Sequence, residues 1–412
     1  MTTDCCAVKG LLPFEQALSL LLENIEPTTK TLTLSIENAL AYVLAQDIVS
    51  PMNIPPHDNS AMDGYAFAHS SLLANNQLTL IGKAFAGEPF QGVCQEGECV
   101  RIMTGAKLPA GCDTVEMQEN CQANDSSITF LNDKKLGQNV RKSGEDIACG
   151  EQVLKRGQRL SAVDIALLAS LGIAEVVVYQ PIKVALIATG DELTLPGQPL
   201  KDGAIYESNR YFLSAMLKKL NIEVIDFGVI EDDFKAIKSA FEQADAQADV
   251  VISSGGVSVG EADFTKDVLQ SLGEVGFWKL AMKPGKPFAF GKLANSLFFG
   301  LPGNPVSALV TMYQLAVPGL IKCQNALPLK RQTLKVKVAN NIKKSPGRKD
   351  FQRGILSINE QGELEVLSTG AQGSGILSSI AKANCFIVLA QDQGKVNAGE
   401  FVDVELFDEL IS

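Results

Sequence analysis

The side chains with the most chemical potential lie in four glycine-bearing turns between Lys183 and Leu309. They read TGDELTLPGQPL (189–200), SSGGVSVGEADFTK (253–266), KPGKPFAFG (283–291) and GLPGNPVSAL (300–309). Most follow an apolar run directly, the arrangement by which an α/β sheet offers backbone N–H groups to a phosphorylated ligand. In the first turn Asp191 and Glu192 stand side by side at a strand end. They can hold a cation or accept from a hydroxyl; alternatively, Asp191 satisfies loop N–H groups and Glu192 is solvated. In the second, Ser253, Gly255 and Gly256 allow close backbone approach, Ser258 adds a donor, and Glu261 and Asp263 precede a helix. A carboxylate there is also an ordinary cap. In the third, Lys279, Lys283 and Lys286 surround Pro284 and Gly285, forming either an anion clamp or a solvated hairpin. In the fourth, Pro302, Gly303 and Asn304 lead into a helix N-terminus, which suits phosphate or carboxylate.

The elements that must position these turns alternate. Val184 to Ala188 reads as a buried strand; Phe212, Leu213, Met216, Leu217 and Leu220 share one helical face. Further strands are expected at 223–227, 250–253 and 297–299, with helices after Phe234, Asp263 and Asn304. Such alternation predicts parallel strands with helices on both faces. Upstream, Phe14, Ala17, Leu21 and Ile25 recur at helical spacing, and a second helix is expected from Ser35 through Leu44. Residues 60–150 carry short apolar runs between turn residues and read as β-rich, and Ser161 with Asp164 fits a capping box. After about 328 the texture is again β, as in a small barrel or sandwich. The fold class is therefore multidomain α/β. Its expected divisions are a discontinuous N-terminal helical/linker domain (1–47 and 145–180), an inserted β-rich module (48–144), an α/β domain (181–328) and a C-terminal β domain (329–412).

Composition narrows the function. A length of 412 residues allows several cores, and no apolar run reaches membrane-spanning length. The net charge of −11 argues against bulk nucleic-acid binding. Nine cysteines, an odd number without a C-x-x-C pair, point to reduced thiols in a cytoplasmic protein. With only His57 and His69 present, a histidine-rich metal site is excluded, and any metal is expected to be hard and oxygen-bound, magnesium before calcium.

Taken together, nine strings resemble the molybdopterin molybdenumtransferase family (MoeA, whose eukaryotic relatives include the C-terminal part of gephyrin). They are DNSAMDGYA (58–66), RIMTGA (101–106), GEDI (144–147), TGDEL (189–193), IYESN (205–209), SSGGVSVGEADFTK (253–266), KPGKPFAFG (283–291), GLPGNPVSA (300–308) and GRKDFQRG (347–354). They span nearly the whole chain in the family's order. The resemblance implies an elongated four-domain subunit, working as a homodimer whose cleft joins the α/β domain of one subunit to the β module of the other. It implies magnesium-assisted insertion of molybdenum from molybdate into adenylylated molybdopterin, with release of AMP. A molybdopterin adenylyltransferase is the expected partner protein.

By the same resemblance, Glu192, Asp232 and Asp263 match the α/β face of the cleft and the metal positions. Asp63, Thr104 and Asp146 match the facing module; Lys279, Lys283 and Lys286 match basic positions near the ligand's phosphates. Arg353 and Ser374 fall in the C-terminal segment. The residue types agree with that chemistry, since splitting a pyrophosphate needs a hard cation and donors for developing charge. Two alternatives stay open on sequence: an adenylyltransferase that makes the adenylylated pterin, and a gephyrin-like scaffold without catalysis.

Overall fold

The computed structural model describes residues 10–73, 76–256 and 264–412. The turns that could do chemistry hang on one sheet. In chain order its elements are β1 (Lys183–Thr189), α1 (Asn209–Lys219), β2 (Glu223–Ile230), α2 (Phe234–Gln247), β3 (Val250–Ser254), α3 (Phe264–Leu272), β4 (Glu274–Lys279), β5 (Pro287–Lys292), β6 (Leu297–Leu301) and α4 (Pro305–Cys323). The strand order is β2-β1-β3-β6-β5-β4. Strand β1 shows why two helical layers form. Val184 and Leu186 join a core with α1 and α4, while Ala185 and Ile187 join a second core with α2 and α3. Successive side chains of a strand face opposite ways, so an unbroken apolar run needs cover on both sides.

The sheet is mixed rather than wholly parallel. Strands β2, β1, β3 and β6 are parallel, but β5 runs antiparallel to both β6 and β4. The link from β5 to β6 is closed by Leu293 N–H donating to the Ser296 carbonyl at 2.9 Å. A crossover needs a dozen or more residues, so a connection this short can only reverse direction. Helix α4 carries a π-turn at Met312–Ala316. It is long and apolar enough to cross a membrane by composition, yet 89% of it is buried inside the protein, as befits a core helix.

The helix Phe14–Glu23 packs Phe14, Ala17 and Leu21 into the core shared by α1 and α4. The expected helix over Ser35–Leu44 does not form. Thr31–Ser35 is instead a strand paired with Glu175–Tyr179, one 3-10 turn follows at Ile36–Asn38, and Ala41 takes a φ of 66° that ends helical geometry. The chain then runs outward through two further two-stranded ribbons, 48–49 with 152–154 and 59–60 with 140–141. They lead to a six-stranded sheet with its own cores around Val100 and Phe67. Beyond α4, strands 349–358, 364–368, 333–338, 401–406 and 385–389 close into a barrel, because 349–358 also pairs with 385–389. Met282–Lys283 adds to the edge of that barrel beside Lys349 and Asp350. The seven cysteines among the described residues are free thiols, and Cys5 and Cys6 lie outside them.

Candidate active site

A cleft of about 910 Å³ opens at the carboxyl ends of β1, β3 and β6. Ligands of open α/β sheets sit at this edge because the strand-end loops diverge there. The loops are drawn together by glycine. Gly255 has a φ of +95°, and a Cβ on it would lie 2.8 Å from the Thr189 carbonyl oxygen. Gly256 has a φ of +68°, and its Cβ would meet Thr265 Oγ1 at 2.3 Å. Gly255 N–H donates to the Leu301 carbonyl at 3.1 Å, tying the β3 loop to the end of β6. Asn304 is the N-cap of α4 with Pro305 at the first helical position, and its side chain makes no capping hydrogen bond. Val306 N–H donates to the Ser374 carbonyl at 3.0 Å, so the barrel loop that bears Gly375 forms part of the cleft wall.

The opposite rim is acidic. Asp232 N–H donates to Asp191 Oδ1 at 2.9 Å, and Glu192 lines the cleft beside Asp232. Burial, then the charges of Asp191 and Glu192, push the Asp232 carboxyl above its ordinary range. Crowded oxygens whose mutual repulsion raises a pKa are relieved by a hard cation. Replacing Asp191 with Asn removes one of those charges. The Asp232 pKa then falls toward its usual range, which an NMR titration of the carboxyl carbons reads directly. Among the described residues no group of three or more such side chains is spaced to hold a metal ion; Asp263, together with Ser258, lies outside the described residues.

The structure gathers some of the singled-out residues and disperses others. Glu192, Asp232, Gly255, Gly256, Pro302, Gly303 and Asn304 line the cleft. Ser253 does not: it is fully buried with Oγ unpartnered among the described residues, and its neighbour Ser254 faces the cleft instead, as alternation along β3 requires. Lys279 is exposed and in register with Pro287, a cleft-lining residue, next to the exposed Lys286. Lys283 is committed to Asp350, with Nζ 3.7 Å from its carboxylate. Arg353 is 1% exposed and does not reach the cleft. Its Nε donates to Ser379 Oγ at 3.0 Å and its Nη2 to the Gly373 carbonyl at 3.2 Å, and burial lowers its pKa to about 10. It therefore buttresses the loop that carries Ser374, whose backbone serves α4.

Asp63, Thr104 and Asp146 stand at one end of the inserted module and do not line the cleft within a single chain. Asp63 Oδ1 accepts both the N–H and the O–H of Thr104 at 2.7 Å, which hold its carboxyl below the usual range. Asp58 brings the Asp146 loop alongside, accepting from Lys142 Nζ and Ser143 N–H at 2.8 Å.

Among the cleft residues that sequence alone did not mark as site residues are Glu207 and Asn209. Both are more than nine-tenths buried. The signal available was a polar triplet, Glu207-Ser208-Asn209, opening a helix after Ile205 and Tyr206.

Comparison with known proteins finds three family matches along the chain. Residues 12–172 match the family described as "MoeA N-terminal region (domain I and II)", 185–322 match "Probable molybdopterin binding domain", and 335–407 match "MoeA C-terminal region (domain IV)". The chain is 51% identical over 403 residues to the molybdopterin molybdenumtransferase of Haemophilus influenzae, covering 97% of this chain and 100% of that protein. It is 31% identical over 455 residues to gephyrin of Dictyostelium discoideum, covering 97% of this chain and 63% of that protein. The crystal structure of a molybdopterin biosynthesis MoeA protein from Pyrococcus horikoshii superposes with a TM-score of 0.84 at 31% identity, covering 97% of this chain and 100% of that one.

Proposed function

Because the chain belongs to the molybdopterin molybdenumtransferase family and is a transferase of molybdenum cofactor biosynthesis, we propose that its cleft inserts molybdenum from molybdate into adenylylated molybdopterin and releases AMP. The observation that carries this is the pairing, in one cleft, of a glycine-lined wall ending at a helix N-terminus with a rim of crowded carboxylates.

Glu192 and Asp232 supply hard oxygen donors at that rim and, together with Asp263, would hold magnesium, which would supply positive charge beside the pyrophosphate. The N–H group of Gly256 and the positive end of α4 receive phosphate oxygens, while the Gly255 N–H, given to the Leu301 carbonyl, fixes the loop that presents them. Lys279 and Lys286 add charge at the rim, where molybdate, itself an oxyanion, is also drawn. Lys283 acts through Asp350 to fix the turn that carries them. Asp63, Thr104 and Asp146 complete the site from a second subunit of a homodimer, which accounts for their distance from the cleft in one chain. The four divisions drawn from sequence are kept as the domains of this reading. A cytoplasmic setting, with a molybdopterin adenylyltransferase handing over the adenylylated pterin, belongs to it too.

The test is direct. Purified protein given adenylylated molybdopterin, molybdate and magnesium will release AMP, followed by chromatography. Glu192→Gln will fold normally and release AMP about 100-fold more slowly. Absence of AMP from the wild type, or a full rate from Glu192→Gln, rejects the assignment.

A further inference from the structure

The inner end of the cleft is built to accept hydrogen bonds, and that is the wrong chemistry for a phosphate. Asn209 is 8% exposed, and its Nδ2 donates to Ser254 Oγ at 2.8 Å and to the Gly303 carbonyl at 2.8 Å. The Gly303 carbonyl can only accept, so the amide cannot be turned over without setting oxygen against oxygen. Both amide hydrogens are thereby used, and Oδ1 is left without a partner among the described residues. Ser254 Oγ, already accepting from Asn209, keeps its own hydrogen for a group in the cleft. Glu207 supplies a second acceptor. Its Oε1 takes the Arg210 N–H at 2.7 Å, while Oε2 is buried, makes no hydrogen bond among the described residues and is ion-paired with Arg210 Nε at 3.7 Å.

This end of the cleft is therefore lined by one hydroxyl donor and by two residues whose buried acceptor oxygens, Asn209 Oδ1 and the ion-paired Glu207 Oε2, make no hydrogen bond among the described residues. Phosphate and molybdate oxygens offer only lone pairs and are repelled by the acceptors. The pyrimidinone ring of a pterin offers the complement along one edge: the 4-oxo acceptor, then the N3–H donor, then the 2-amino donor. We propose that Ser254, Asn209 and Glu207 read this edge. Ser254 donates to the 4-oxo oxygen, Asn209 Oδ1 accepts from N3–H, and Glu207 accepts from the 2-amino group. The assignment rests on the reading of this cleft as a pterin site. It adds an orientation: the ring lies against α1, and the phosphates lie toward Gly255 and α4. An unmade hydrogen bond at a buried acceptor costs enough to change affinity by roughly 5- to 150-fold.

Methylation of the ligand tests this without disturbing the protein. Binding of 6-hydroxymethylpterin and of its N3-methyl derivative is measured by calorimetry on the full chain, with AMP as a control. The wild type binds the unmethylated pterin about 10-fold or more tightly than the methylated one. Asn209→Ala loses this preference while keeping its AMP affinity. Ser254→Ala, which removes only a hydroxyl, binds both pterins more weakly but keeps the preference. A wild type that turns over adenylylated molybdopterin yet binds both pterins equally overturns the assignment and leaves the transferase reading standing. So does an Asn209→Ala protein that still discriminates. A wild type that forms no AMP overturns the transferase reading, and this assignment with it.

Discussion

Replacing Lys134 with methionine lowers the stability of the inserted module by about 3–5 kcal/mol, the cost of stranding a buried charge. Lys134 and Glu116 form an ion pair at 3.1 Å with both side chains 1% exposed. Around the carboxylate, Asn120 Nδ2 donates at 2.7 Å, Gln138 Nε2 at 2.9 Å and Met117 N–H at 3.0 Å. The ammonium also reaches the Asn132 carbonyl. Without the lysine, Glu116 keeps neutral donors but no countercharge in a dry interior, and hydrogen bonds alone do not repay its lost hydration. The module has cores separate from those of the α/β sheet. Denaturant unfolding, followed by hydrogen exchange at residues 64–67 and 114–117, will show protection lost there first. Unchanged exchange in the variant rejects the expectation. Exposed pairs such as Lys238 with Glu242 at 3.8 Å give no comparable loss, because water screens them.

The second large effect concerns the pinch between β1 and β3. Gly255→Ala places a methyl group 2.8 Å from the Thr189 carbonyl oxygen, at a φ of +95° that side-chain-bearing residues rarely adopt. The clash is with backbone, so it cannot be relieved by rotating a side chain. The loop must move away from the end of β1 and lose its bond to the Leu301 carbonyl. A shift of about 1 Å in a residue that positions substrate costs on the order of 100-fold in rate. The kcat/KM for AMP release falls by that factor, while thermal unfolding of the whole chain changes by only a few degrees. A wild-type kcat/KM counts against the close approach as a functional feature. Gly303→Ala is the contrast in strain, since among the described residues its added Cβ would meet nothing closer than Gly255 Cα at 3.9 Å, and it leaves the bond of the Gly255 loop to the Leu301 carbonyl in place.

Local signals carried the helices and the cleft edge. Ser161 and Asp164 form both bonds of a capping box, and α2 begins where Asp233 accepts from the N–H groups of Lys235 and Ala236. The strands ending in Thr189, Ser254 and Leu301 were legible because apolar runs buried on both faces stop abruptly at glycine or proline. What escaped is non-local. The stretch Ser35–Leu44 has helical spacing, but the strand before it is claimed by Glu175–Tyr179, well over a hundred residues away. Arg353 is named through the family resemblance of its string alone, and in the fold it sits beneath the barrel loop as a brace. Ser253 and Ser254 are chemically alike, and only the pleat decides which faces the cleft. Asn209 wears the appearance of a helix-start residue, and its buried, unspent oxygen shows only in three dimensions.

The three ribbons that carry the module pair outgoing chain with returning chain: 31–35 with 175–179, 48–49 with 152–154, and 59–60 with 140–141. The polypeptide thus departs and comes home through the same doorway, with Asn59 directly opposite Arg141. A genetic lineage can swap, enlarge or delete everything beyond that doorway by splicing at two neighbouring points, leaving the strand order of the α/β sheet intact.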